Sequence, residues 1–134
     1  MLTGSLFNII QNAKKTESEY NISFSCNPNH PIFEGHFPGE PILPGVCMVQ
    51  FVRESLEIIL NQKLNLNSAK TIKFIHIIDP RKEQILILEI KTNKTVDGLI
   101  ETKAIIKNET TVFFQMRGVY TLNGHNLRFL NKWH

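Results

Sequence analysis

HPIFEGHFPGEPILPGVCMVQ, residues 30–50, packs four prolines, three glycines and two histidines into 21 positions and then turns directly into an apolar helical pattern. Proline fixes φ and glycine admits backbone conformations that other residues avoid, so the stretch reads as a rigid loop. That loop presents His36 at the mouth of a helix. Pro44 suits the start of the helix, because a first-turn N–H needs no intrahelical partner. From Val46, apolar residues recur at Val49, Val52, Leu56, Ile59 and Leu60, a stripe of helical period, with Arg53, Glu54 and Glu57 off it. Met48, Phe51 and Ile58 are apolar as well, which predicts a helix covered on most sides. The pattern fades over residues 61–67.

Outward from the loop, the chain divides into short segments. Residues 1–15, MLTGSLFNIIQNAKK, read as a short amphipathic helix with Leu6, Ile9, Ile10 and Ala13 on one side. Tyr20, Ile22, Phe24 and Cys26 alternate with polar residues, the period of a half-buried strand that ends at Asn27-Pro28-Asn29. Four strand-like segments follow the helix. Residues 71–78 and 84–92 are joined by the turn sequence Asp79-Pro80-Arg81-Lys82. Residues 99–107 and 110–122 are joined at Asn108-Glu109, a hairpin candidate. The run Ile85-Leu86-Ile87-Leu88 is apolar on both faces, as a central or doubly covered strand would be. One α+β domain over residues 1–134 satisfies the pattern, with a mostly buried helix against a curved antiparallel sheet of five to six strands.

Composition narrows the function classes. With 134 residues, 42% hydrophobic and 20% charged, the chain is one globular domain and not a disordered segment. No apolar run reaches a membrane span, and residues 1–15 lack the basic start of a secretory signal. Two cysteines, Cys26 and Cys47, are too few for a disulfide scaffold and fit a cytoplasmic setting. The formal charge of +3 comes from scattered lysines, which does not describe a nucleic-acid binder but would attract an acidic protein. No histidine pair has metal-ligand spacing, and no cofactor is expected.

GHFPGEPILPGV, from Gly35 to Val46, resembles the active-site segment of the 3-hydroxyacyl-acyl-carrier-protein dehydratases of fatty-acid synthesis. His30-Pro31-Ile32-Phe33 upstream and Ile72-Lys73-Phe74 downstream fit the same family, as does the order of elements. The resemblance implies the hot-dog fold, a long central helix wrapped by an antiparallel sheet. It also implies a homodimer or trimer of dimers with sites at the dimer interface, and acyl carrier protein as the partner that brings the substrate. The family's catalytic base maps onto His36. Histidine titrates near neutrality, so it can take the C2 proton and return one to the leaving hydroxyl. The N–H that holds the thioester oxygen maps onto Gly45, at a helix N-terminus suited to a developing enolate. Val46, Phe37 and Pro44 fall with Gly45 among the substrate-binding positions. The family's second catalytic residue, a Glu or Asp fourteen positions after the histidine and contributed by the partner subunit, is Gln50 here.

An amide keeps the shape of that acid but has no carboxylic proton to give. Three readings follow. His36 carries the proton itself while Gln50 contacts the hydroxyl or a water. Alternatively, Glu54, one turn further on, leans toward Gln50 as an auxiliary acid. In the third, dehydration is lost, leaving a silent acyl-binding subunit or another hot-dog activity such as a thioesterase. The remaining candidates have plainer readings. His30 bonds loop backbone, His76 lies on a strand, and His125 and His134 lie near the C-terminus. Cys47 packs, Glu34 and Glu40 are solvated, and Gly39 and Pro41 fix the loop path. Phe33, Phe37 and Phe74 line the core or an acyl tunnel, and Arg117-Gly118 marks a bulge.

Overall fold

The computed structural model of the protein describes residues 1–34 and 39–122. Its elements are β1 (Phe7–Lys14), β2 (Glu19–Cys26), a 3-10 turn (Pro31–Phe33), α1 (Gly45–Leu60), β3 (Leu64–Phe74), β4 (Leu86–Lys94), β5 (Ile100–Lys107) and β6 (Val112–Leu122). The strands form one six-stranded sheet in the order β1-β2-β4-β5-β6-β3, with every neighbouring pair antiparallel. The sheet curves around α1 in the hot-dog arrangement. Register explains its one apolar face: Leu88, Ile106 and Phe114 stand opposite one another, as do Ile90, Ala104 and Met116, and all are buried. From α1, Phe51 stacks on Phe7 with centroids 4.2 Å apart and leans on Phe24 at 4.6 Å, joining the helix to β1 and β2. Aromatic pairs of this kind add to simple area burial.

Four sequence expectations change. Residues 7–14 are a strand, not part of a helix. The cause is a bulge: Ile9 pairs with Phe24 and Gln11 with Ser23, so Ile10 is inserted and breaks the period of two. The turn at Asp79 is real, with the Lys82 N–H donating to the Asp79 carbonyl at 2.9 Å, but it does not make a hairpin. The strand before it sits at the sheet edge against β6, while β4 lies between β2 and β5. That edge strand also begins at Leu64, earlier than its apolar pattern suggests. β4 is internal as expected, yet Ile85 is exposed and Ile87 half-buried, so only one of its faces is covered.

The helix is tilted from its predicted stripe. Cys47, Met48, Phe51, Val52, Glu54, Ser55 and Leu56 are buried, whereas Val46 and Ile58 are exposed. It stops at Asn61, whose φ of 53° and ψ of 45° form a left-handed C-cap, with its N–H donating to the Glu57 carbonyl. Glu57 also accepts the Leu64 N–H at 2.9 Å, which fixes how β3 leaves the helix. The irregularities expected at Arg117-Gly118 belong to the opposing strand, where register shifts fall between Leu66 and Ser68 and between Ala69 and Thr71.

Candidate active site

The loop ahead of α1 is pinned on both sides of its undescribed part. His30 caps the 3-10 turn, its Nδ1 accepting the Ile32 N–H at 3.1 Å, which is a backbone role. Gly39 has a φ of 84°, in the left-handed region that favours glycine, and its carbonyl accepts from the Arg81 guanidinium at 3.3 Å. Hydrogen bonds to Arg81 hold the Asp79 carboxyl below its usual range and keep the guanidinium in place. Further on, the Leu43 N–H donates to the Ile78 carbonyl at 3.0 Å. A groove of about 600 Å³ runs between these anchors, lined by His30, Phe33, Gly39, Pro41 and Arg81 among others.

Pro44 is the N-cap of α1, extended at φ −65° and ψ 142°, and Gly45 is the first helical residue. The opening N–H groups of a helix lack intrahelical acceptors and carry the positive end of its dipole. Gly45 is also where the helix meets β3, since a Cβ built there would lie 2.6 Å from the Phe74 ring. A larger residue there would require the half-exposed Phe74 ring to turn aside. Val46 is 72% exposed and Phe74 55% exposed, so the mouth of the helix is open in the single chain.

One turn further, Gln50 is half-buried and Glu54 only 1% exposed. The Gln50 Nε2 donates to Glu54 Oε2 at 2.7 Å. The same oxygen accepts the Leu2 N–H at 2.9 Å, and Glu54 Oε1 accepts both the Thr3 N–H at 2.8 Å and the Thr3 hydroxyl at 2.7 Å. Burial pushes the Glu54 carboxyl up, but the bonds from Leu2, Thr3 and Gln50 outweigh it and hold it below its ordinary value. Glu54 is therefore an ionised acceptor near neutrality, with no proton to donate. Leu2 and Thr3 are sequence-distant partners that no pattern announced; only the spacing of Gln50 and Glu54 on one helical face was legible.

Gly45, Val46, Pro44, Gln50 and Glu54 thus lie along the opening turns of one helix. His36 and Phe37 lie outside the described residues, as do His125 and His134. Cys47 is 3% exposed and its thiol is pushed up by burial, and burial with the nearby Cys47 pushes Cys26 up to about 12. Both are packed thiols. Among the described residues no cluster of His, Cys, Asp and Glu could hold a metal, and no helix is long and apolar enough to cross a membrane.

A family model described as ApeI-like, ApeI dehydratase, matches residues 12–112. The 3-hydroxyacyl-acyl-carrier-protein dehydratase FabZ of Haemophilus influenzae is 32% identical over 96 residues, covering 72% of this chain and 60% of the relative. FabZ of Clostridium acetobutylicum is 30% identical over 110 residues, covering 77% of this chain and 75% of that one. The chain therefore spans about 60% of the length of the first of these relatives. Among solved structures, a chain of the dehydratase heterocomplex ApeI:P from Xenorhabdus doucetiae matches with a TM-score of 0.69 at 22% identity, over 85% of this chain and 96% of that one. A structure from Shewanella oneidensis, named a putative thioesterase, matches at a TM-score of 0.50 and 10% identity, over 81% of this chain and 80% of that one. Both likenesses are of fold.

Proposed function

Because the chain belongs to the ApeI-like family of dehydratases, we propose that it removes water from a 3-hydroxyacyl thioester borne by acyl carrier protein. In this reading the C2–H bond breaks and its electron pair forms the C2–C3 double bond. The C3–O bond breaks toward oxygen, which leaves as water after taking one proton. His36 accepts the C2 proton and returns it to the departing oxygen. Glu54 has no proton to offer, and the Gln50 amide cannot act as an acid. The Gly45 N–H holds the thioester oxygen, flanked by Pro44, Val46 and Phe37, and Gln50 contacts the hydroxyl.

The observation that carries the reading is the helix start. Gly45 presents a first-turn N–H at an open mouth, and Gln50 lies five residues on, about 7.5 Å of helix rise away. The same region supports assembly as at least a homodimer. β3 has only one strand neighbour, and it and the segment after it expose Leu66, Ile72, Phe74, Ile75 and Ile77 alongside Val46. A long apolar edge strand of this kind pairs with another chain or aggregates. The free thiols of Cys26 and Cys47 fit a cytoplasmic setting.

Gln50 in place of an acid favours one second reading, a silent subunit that binds acyl chains without turnover. Incubation with 3-hydroxyacyl carrier protein, followed by mass spectrometry, separates the cases. Loss of water mass supports the dehydratase, released acid a thioesterase, and unchanged bound substrate the silent subunit. His36→Ala should abolish water loss; retained turnover removes His36 from the mechanism.

A further inference from the structure

The pairing of Gln50 with Glu54 decides which end of the Gln50 amide is left for a ligand. An ionised carboxylate only accepts, so the group 2.7 Å from Glu54 Oε2 is the amide NH₂, and the carbonyl Oε1 points elsewhere. Turning the amide over would set two oxygens against each other at that distance. Oε1 takes no hydrogen bond from any described residue, and Gln50 is only half-buried. Glu54 cannot swing away to relax this, because Leu2 and Thr3 hold both of its oxygens. They are themselves held: the Leu6 and Phe7 N–H groups donate to the Leu2 carbonyl at 2.9 and 3.0 Å, and both side chains are fully buried.

We propose that Glu54 is a positioning residue, which fixes Gln50 with its carbonyl oxygen facing the substrate and so selects acyl groups carrying a hydrogen-bond donor at C3. This rests on the reading of Gln50 as the hydroxyl contact. A 3-hydroxyl donates to Oε1 and keeps its lone pairs free for the incoming proton. A 3-oxo group has lone pairs only and meets an acceptor. Sites that hydrogen-bond a hydroxyl disfavour analogues that cannot donate, because the acceptor loses its water when the ligand covers it and gains no partner in return. The discrimination therefore belongs to the Glu54–Gln50 pair and not to the shape of the site.

The test compares the KM of a short-chain 3-hydroxyacyl pantetheine thioester with the inhibition constant of its 3-oxoacyl counterpart, in wild type, Glu54→Gln, Gln50→Met and the double variant. A neutral amide at position 54 can meet Gln50 with either end, so the lock is lost. Wild type should prefer the hydroxyacyl form by roughly tenfold or more, and Glu54→Gln should erase most of that preference. In the Gln50→Met background Glu54→Gln should change the ratio no further. A preference that survives Glu54→Gln, or falls further in the double variant, overturns the proposal. The Gln50 side-chain amide is read independently by ¹⁵N NMR, assigned by its loss in Gln50→Met. Its protons should be shifted and slow to exchange in wild type. A wild-type amide resembling solvent-exposed glutamine overturns the lock, whether or not Glu54→Gln folds. If wild type turns over no 3-hydroxyacyl probe while the amide is locked, the functional reading fails and the lock stands.

Discussion

Replacing Glu54 with leucine removes the carboxylate but keeps bulk on a helix face that is 1% exposed. Four donors lose their acceptor: the Leu2 and Thr3 N–H groups, the Thr3 hydroxyl and the Gln50 amide. A buried donor left unpaired costs about 1–3 kcal/mol. The Thr3 hydroxyl and Gln50 can turn toward water, since neither residue is fully buried. The two backbone N–H groups are held by the turn that precedes Phe7. Counting those two at the lower end of that range, since Leu2 and Thr3 are themselves only part-buried, gives about 2 kcal/mol. On a stability of about 5–15 kcal/mol this is a large fraction. Urea titrations of wild type and Glu54→Leu at neutral pH should differ by that amount, with an unchanged m-value.

The pH dependence of that difference is a second, sharper readout. Glu54 has its folded-state pKa depressed below the unfolded value. Its contribution is therefore fully present above the unfolded carboxylate range, about 4.3, and is lost as pH falls through the folded pKa. Other carboxylates titrate in both proteins and cancel in the difference. The gap should hold steady from pH 8 to about 5 and then close in acid. A gap under about 0.5 kcal/mol at neutrality, or one that widens in acid, refutes the clasp as described.

Three further outcomes follow from particular contacts. Gly45→Ala sets a methyl 2.6 Å from the end of the half-exposed Phe74 ring, so the ring must turn aside; it should cost about 1 kcal/mol or less by thermal melt and leave the helix start in place, and a loss above about 3 kcal/mol would show that the ring is held. Phe51→Ala empties the ring cluster with Phe7 and Phe24 and should cost about 3–5 kcal/mol in denaturant, with the coupling to Phe7 visible in a double-mutant cycle. On the outer face Lys103 stands opposite both Lys91 and Arg117, and like charges so placed repel. Lys103→Glu should therefore stabilise by about 0.2–1 kcal/mol at low salt, with the gain shrinking as salt is added.

The loop-to-helix junction was the most legible part of the chain because its signals are local. Proline and glycine limit backbone choices residue by residue, and the helix starts at Gly45 and ends at Leu60, close to where those signals put it. Segment 7–14 was misread because strand and helix periods are told apart by phase, and the inserted Ile10 shifts the phase midway. β3 was shortened for a related reason: Leu64 and Leu66 alternate with Asn65 and Asn67, but register shifts between Leu66 and Ser68 and between Ala69 and Thr71 break the period before Ile72. Glu54 was placed off the apolar stripe, on the sound expectation that a carboxylate avoids a core. What overrides that expectation is a set of donors more than fifty residues away, and pairwise periodicity has no access to it.

The missing acid at position 50 has a different meaning once its neighbour is known. A glutamine alone would be an acid with its proton chemistry deleted, able to face the substrate with either end. Joined to an ionised carboxylate, it keeps one end only, and that end accepts. The pair thus still places carboxylate and amide chemistry side by side on the helix, but the charge lies in the buried position and the neutral group in the open one. In the proposed reaction, with the charge sealed behind Leu2 and Thr3, His36 would be the one group that moves the proton, and the pH–rate profile should then be governed by one ionisation. A bell-shaped profile with an acidic limb that disappears in Glu54→Gln would return the carboxylate to the proton path and refute that division of labour.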